Sequence, residues 1–151
     1  MAGYIIKNGT IYVTETGKFE KKDLYIKDGK LVKSFPEREK KEQIRVIDAS
    51  GCYVTKGLVD YHVHYFEGGA DNGVNPDVAS FPNGVTTAID GGTCGVSCFD
   101  IFKKSVMDRV DVELYAQLLV GSAGQLSENS TEWIEAEQIE EERILEMFER
   151  Y

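Results

Sequence analysis

Histidine, cysteine and proline are all scarce in this chain: two, three and three residues among 151. Cys52, Cys94 and Cys98 form an odd, sparse set, which excludes a secreted disulfide framework and reads as free thiols in a reducing compartment. Few prolines beside 15 glycines exclude wholesale disorder. Positive charge is also short. Lys and Arg total 17 against 26 Asp and Glu, so the net charge is −9. No basic patch offsets it, and such a surface repels phosphate backbones, which removes nucleic acid from the expected partners. No apolar run reaches membrane-spanning length, and Met1-Ala2-Gly3-Tyr4 does not open a signal peptide. The expectation is a cytoplasmic protein without a membrane partner. Phosphate loops and nucleotide fingerprints are absent. Ser122, Ser127 and Ser130 have no histidine to serve them, which excludes a serine triad.

What remains is 42% hydrophobic and 28% charged, a globular composition with the size of one ordinary domain. Residues 4–13 predict a hairpin, with Tyr4-Ile5-Ile6 and Thr10-Ile11-Tyr12-Val13 flanking Asn8-Gly9, two residues that accept positive φ. Residues 23–35 repeat the pattern around Asp28-Gly29. Pro36 to Gln43 reads as a surface connection. Ile44–Ile47 and Cys52–Val54 read as two further short strands. Residues 1–56 are therefore expected to form a small, mostly antiparallel β unit.

The pattern changes at Gly57. An apolar run, Gly57-Leu58-Val59, leads into a strand ending Asp60-Tyr61-His62-Val63-His64. A glycine-containing loop, Phe66 to Asn83, separates it from a second buried strand, Gly84 to Asp90. Phe99, Phe102, Val106 and Val110 have helical spacing. Alternation from Asp111 to Val120 predicts a third strand. Thr131 to Tyr151 reads as an acidic helix capped by Thr131, with Trp133, Ile144, Leu145, Phe148 and Tyr151 as its inner stripe. Alternating strands and helices predict a parallel sheet covered by helices. A closed eight-stranded barrel takes about 250 residues, so residues 57–151 are expected to supply an incomplete one of three units.

His62 and His64 are the strongest chemical signal. At i and i+2 on a strand both imidazoles point to one side, and neutral imidazoles bind zinc and similar ions. Asp60 shares that side; it could bind metal, orient an imidazole or hydrogen-bond the backbone. Two histidines do not complete a site, since catalytic zinc takes three protein ligands plus water. Further candidates are Glu67, Asp71, Asp90, Cys94 and Cys98. Asp90 ends the second strand, on the rim where parallel-barrel chemistry sits, or caps the loop beyond it. Gly68-Gly69 and Gly91-Gly92 read as pocket lining or as plain turns.

Three stretches together resemble the amidohydrolase superfamily. Val46 to His64 is similar to the junction between that family's β-sandwich and its first barrel strand. Gly84-Val85-Thr86-Thr87-Ala88-Ile89-Asp90-Gly91-Gly92 is similar to its second barrel strand, and residues 4–35 to the β unit before the barrel. The loop Phe66 to Asp77 looks most like the dihydroorotase-like enzymes sometimes labelled deacetylases. Dihydroorotases carry an arginine shortly after the second histidine; here Tyr65-Phe66-Glu67 stands there, which argues against dihydroorotate as substrate. Lys56 replaces the usual proline before the first barrel strand.

The resemblance implies an α/β fold: a β-sandwich-like unit followed by the first three β/α units of a TIM-type (β/α)8 barrel. It implies one or two divalent metals, zinc first, with His62 and His64 as ligands. It implies hydrolysis of non-peptide C–N bonds in a small-molecule amide by metal-activated water. The bridging lysine or glutamate, two further histidines and the general-base aspartate of the family would come later. The chain reads as a truncated, inactive N-terminal portion that needs the missing part or forms a homo-oligomer. Two alternatives stand beside this: a non-enzymatic, protein-binding remnant, and a small structural zinc domain using His62, His64, Cys94 and Cys98.

Overall fold

A computed structural model describes residues 3–35, 44–126 and 139–151. The Pro36–Gln43 connection, the Thr131 cap and Trp133 lie outside the described residues. The chain divides into two compact units, Met1–Lys56 and Gly57–Tyr151.

The first unit holds seven strands: β1 (Gly3–Lys7), β2 (Thr10–Val13), β3 (Lys18–Lys21), β4 (Leu24–Lys27), β5 (Lys30–Val32), β6 (Ile44–Asp48) and β7 (Tyr53–Val54). They form two sheets, ordered β5-β4-β1-β6 and β3-β2-β7. The β4–β5 hairpin forms as its sequence predicts, with Asp28 and Gly29 at φ 51° and 73°. The predicted hairpin over residues 4–13 does not form. β1 pairs with β4 and β6, whereas β2 pairs with β3 and β7. Asn8 does take a positive φ, 62°, but the pair makes a corner between sheets. Gly9 is buried there, and a Cβ on it would stand 2.8 Å from Val54 Cγ2 and 3.3 Å from Ala49 Cβ. A second corner runs alongside: Ala49 N–H donates to Lys7 O at 2.8 Å, and Thr10 N–H to Cys52 O at 2.9 Å. Both chain crossings are thereby held in step, which is why β1–β6 and β2–β7 are parallel.

The second unit carries β8 (Leu58–Val63), α1 (Pro76–Ser80), β9 (Val85–Asp90), α2 (Phe99–Ser105), β10 (Glu113–Ala116) and α3 (Glu141–Arg150). The three strands form one parallel sheet in the order β10-β9-β8. Strand–helix alternation therefore gives the parallel β/α arrangement expected of a partial barrel. The Phe66–Asn83 stretch is not loop throughout. It contains α1, a short helix capped by Asn75, whose Oδ1 accepts from Val78 N–H at 3.1 Å. β10 is shorter than the Asp111–Val120 alternation predicts. Beyond Ala116 the backbone turns its donors to other loops, Gln117 N–H to Asp90 O and Leu119 N–H to Cys94 O.

Two apolar layers fix these elements. Phe66, Cys94, Cys98, Phe99, Phe102 and Val106 pack together, with Phe102 wholly buried and its ring centroid 5.0 Å from that of Phe66. Val63, Tyr65, Ala88 and Val112 form the other cluster. α3 turns Ile144 and Met147 inward, both half-buried, while Leu145 is 56% and Phe148 72% exposed. The predicted inner stripe is corrected at Leu145 and Phe148. Each stands one residue, and so about 100° around the helix, from the side chain that packs.

Candidate metal centre

β8 and β9 run parallel, so their C-terminal ends share one edge, with Val63 opposite Asp90. Pairing slips between Asp60 and Val63: Asp60 faces Ala88 and Val63 faces Asp90, so β8 spends one more residue than β9. That irregularity falls at Tyr61-His62, and such bulges re-aim side chains near sites. Past it, Val63 and Tyr65 enter the apolar cluster with Ala88 and Val112. Strand alternation sends His62 and His64 to the opposite face. Their ring centroids are 5.4 Å apart, with ring planes at 82°.

Each ring is positioned by the loop after β9. His64 Nδ1 lies 2.8 Å from Thr93 Oγ1. The Thr93 hydroxyl donates to Asp90 Oδ2 at 2.8 Å. Gly91 lies against His62: a Cβ there would sit 3.0 Å from His62 Cε1 and Nε2. Gly91 N–H donates to Val63 O at 2.8 Å, which ties the loop to β8. Neither Thr93 nor this use of Gly91 carries a signal in the sequence beyond the Gly91-Gly92 pair itself.

The other candidate ligands are engaged elsewhere. Asp90 is wholly buried and caps the loop: Oδ1 accepts from Gly92 and Thr93 N–H at 3.1 and 2.7 Å, and Oδ2 from Tyr65 N–H at 2.9 Å. Asp60 Oδ1 accepts from His62 N–H at 3.2 Å, the backbone role among its three alternatives. Glu67 accepts from Asn75 Nδ2 at 2.8 Å. Asp71 is held at its backbone, whose N–H donates to Leu126 O. Cys94 and Cys98 sit in the apolar core, where the Cys98 thiol faces Ala123 O at 3.4 Å and Gly95 O at 3.5 Å. The interaction between the two thiols first of all holds Cys98 down at about 7 and pushes Cys94 up. Among the described residues no three His, Cys, Asp or Glu side chains gather as a metal cluster. The four-ligand alternative, with His62, His64, Cys94 and Cys98, is therefore not assembled. An apolar cavity of about 290 Å³ lies elsewhere in this unit, lined by residues of α2, β10 and α3 including Phe99, Tyr115 and Met147, and by Met107 beyond α2.

The donor set fits part of a divalent-metal site: two imidazoles share one face, at the strand ends of a parallel sheet. Among the described residues His64 Nε2 has no hydrogen-bond partner.

No family model matches the chain. A deacetylase of Agrobacterium fabrum is 31% identical over 122 residues, 80% of this chain and 30% of the relative. A dihydroorotase of Carboxydothermus hydrogenoformans is 36% identical over 94 residues, 62% of this chain and 20% of the relative. The crystal structure of a dihydroorotase matches 99% of this chain with a TM-score of 0.79 at 23% identity, over 40% of its own length. The fold is that of the opening part of a TIM barrel. Sequence and fold together identify the chain with the N-terminal portion of the amidohydrolase superfamily. It spans less than half the length of these relatives.

Proposed function

We propose that this chain carries the His-x-His half of a metal-dependent amidohydrolase site, with His62 and His64 as ligands to a divalent cation, zinc first. The observation that carries it is the pair itself: two imidazoles on one face at the end of β8, one anchored through Nδ1 and, among the described residues, without a partner on Nε2. A metal held there would supply Lewis-acid polarisation of a carbonyl and a bound water of lowered pKa. The reaction class is hydrolysis of a non-peptide C–N bond in a small-molecule amide, N-acyl or cyclic. Dihydroorotate is disfavoured. Tyr65 and Phe66 are buried in the apolar layers and Glu67 holds Asn75, so the segment after His64 offers no cation for a substrate carboxylate.

Two ligands are fewer than catalytic zinc uses, so the chain by itself is expected to bind zinc weakly and to hydrolyse little. The test is a zinc titration of the whole chain beside His62→Ala and His64→Ala. Binding lost in both variants, with the circular-dichroism spectrum kept, supports the reading. Binding unchanged in either variant sinks it. Hydrolase assays on N-acyl and cyclic-amide substrates follow only if wild-type zinc binding is found.

A further inference from the structure

We propose that Thr93, itself held by the buried Asp90, fixes His64 in the Nδ1–H tautomer and so presents the Nε2 lone pair outward for a divalent cation. The purpose of this arrangement rests on the metal reading above; its geometry does not.

Counting protons decides the tautomer. Asp90 and Thr93 are both wholly buried, where an unpaired polar atom is costly. An ionised carboxylate only accepts. Asp90 faces four donors: the backbone N–H groups of Gly92, Thr93 and Tyr65, and the Thr93 hydroxyl. A threonine hydroxyl has one hydrogen. With that hydrogen on Asp90 Oδ2, Thr93 Oγ1 has only lone pairs left for His64. The 2.8 Å contact to Nδ1 therefore takes its proton from the imidazole. In the reverse sense, the hydroxyl would donate to His64. Thr93 Oγ1 and Asp90 Oδ2 would then stand 2.8 Å apart with no hydrogen between them, in a site closed to water. A neutral imidazole protonated at Nδ1 carries its lone pair on Nε2. The general pattern, in which the second ring nitrogen of a ligating histidine is fixed by a hydrogen bond, suits this arrangement.

His64 is one of only two histidines, so its ring nitrogens are assignable by comparison with His62→Ala. Long-range ¹H–¹⁵N correlation spectra of the metal-free full chain, at a pH where both imidazoles are neutral, report the tautomer directly. Wild-type His64 is expected as Nδ1–H. Thr93→Val is expected to move it toward the Nε2–H form favoured in water, and Thr93→Ser to restore Nδ1–H. Zinc affinity should fall roughly 10- to 100-fold in Thr93→Val and recover in Thr93→Ser. Wild-type His64 found as Nε2–H overturns the proposal. So does a Thr93→Val spectrum with the tautomer unchanged. The wild-type spectrum needs no variant, so the proposal stays testable if Thr93→Val does not fold. A fixed Nδ1–H tautomer in a chain that binds no zinc keeps the Thr93 assignment and removes the metal reading.

Discussion

At Gly91 a single methyl group separates a working arrangement from a displaced one. A Cβ at this position would lie 3.0 Å from His62 Cε1 and Nε2, closer than carbon comfortably sits to an imidazole edge. Gly91 is not among the glycines with positive φ, so alanine there meets a space problem and no backbone one. His62 is exposed, so its ring has room to give way toward solvent. The fold should therefore absorb Gly91→Ala while the imidazole gives way. Zinc affinity is expected to fall on the order of tenfold, because ligand geometry tolerates only about half an ångström. The melting temperature should stay within about 2 °C. A loss of stability larger than the loss of affinity, read by thermal unfolding and zinc titration on the same samples, would show Gly91 to serve packing instead. The His62–His64 pair is legible in the sequence because i and i+2 on a strand is a purely local relation. Thr93 is not. Its role arises only after the loop folds the Asp90 carboxylate back over its own next three residues, and nothing in residue type or spacing announces that. Asp90 is visible as a strand end, and the two roles open to it are separated by burial and by its four donors.

At the scale of elements, α3 is a ten-residue helix, short enough that docking and not propensity must hold it. Its anchor is Asp100 on α2, which accepts from the Tyr151 hydroxyl and from Arg150 Nη1, the latter at 2.9 Å. The Tyr151 hydroxyl first, and then the Arg150 guanidinium, hold the Asp100 carboxyl below its ordinary value. A depressed carboxyl stabilises the docked state above its unfolded pKa, and loses that contribution as pH falls through the lower folded value. Amide protection over Glu141–Arg150 should therefore drop selectively from about pH 4 downward, after correction for intrinsic exchange. Asp100→Asn should weaken that protection already at neutral pH and reduce its acid dependence to what the Glu140–Arg143 pair at the start of α3 contributes. Equal acid loss of protection in α2 and α3 would count against a local anchor. Among the strands and turns, agreement with the sequence pattern follows how local each one's causes are. Asp28-Gly29 tips an exposed hairpin, where turn chemistry alone decides. Asn8-Gly9 has the same chemistry, but Gly9 is used for close packing against Val54 and Ala49, residues distant in the chain, and that tertiary role overrides the turn signal. α1 has its own marks, an Asn cap followed by Pro at the first turn, but the glycines before it mask them. β3, Lys-Phe-Glu-Lys, is exposed throughout and has almost no apolar alternation to show.

Across the second unit as a whole, the parallel sheet β10-β9-β8 pairs its middle strand on both sides and, among the described residues, leaves β8 at an edge. β8 is exposed from Leu58 to His62, with Leu58 54%, Val59 62% and Tyr61 72% accessible. A strand with an open hydrogen-bonding edge and apolar side chains is a template for pairing with another copy. The net charge of −9 opposes this, because copies repel one another. The two forces differ in range and in their response to salt. Repulsion between exposed charges is screened over about 10 Å at 0.1 M ionic strength and over less as salt rises, while apolar burial is not weakened. Self-association is therefore expected to increase with both protein concentration and salt, read by sedimentation velocity. Cys52 is an exposed free thiol, so the measurement requires reductant to keep disulfide-linked dimers out. Tyr61→Lys places a charge on the edge without touching His62 or His64, and should return the chain toward monomer at each salt concentration. Association that falls as salt rises would mean that charged contacts drive it. Association indifferent to Tyr61→Lys would place the contact on another surface.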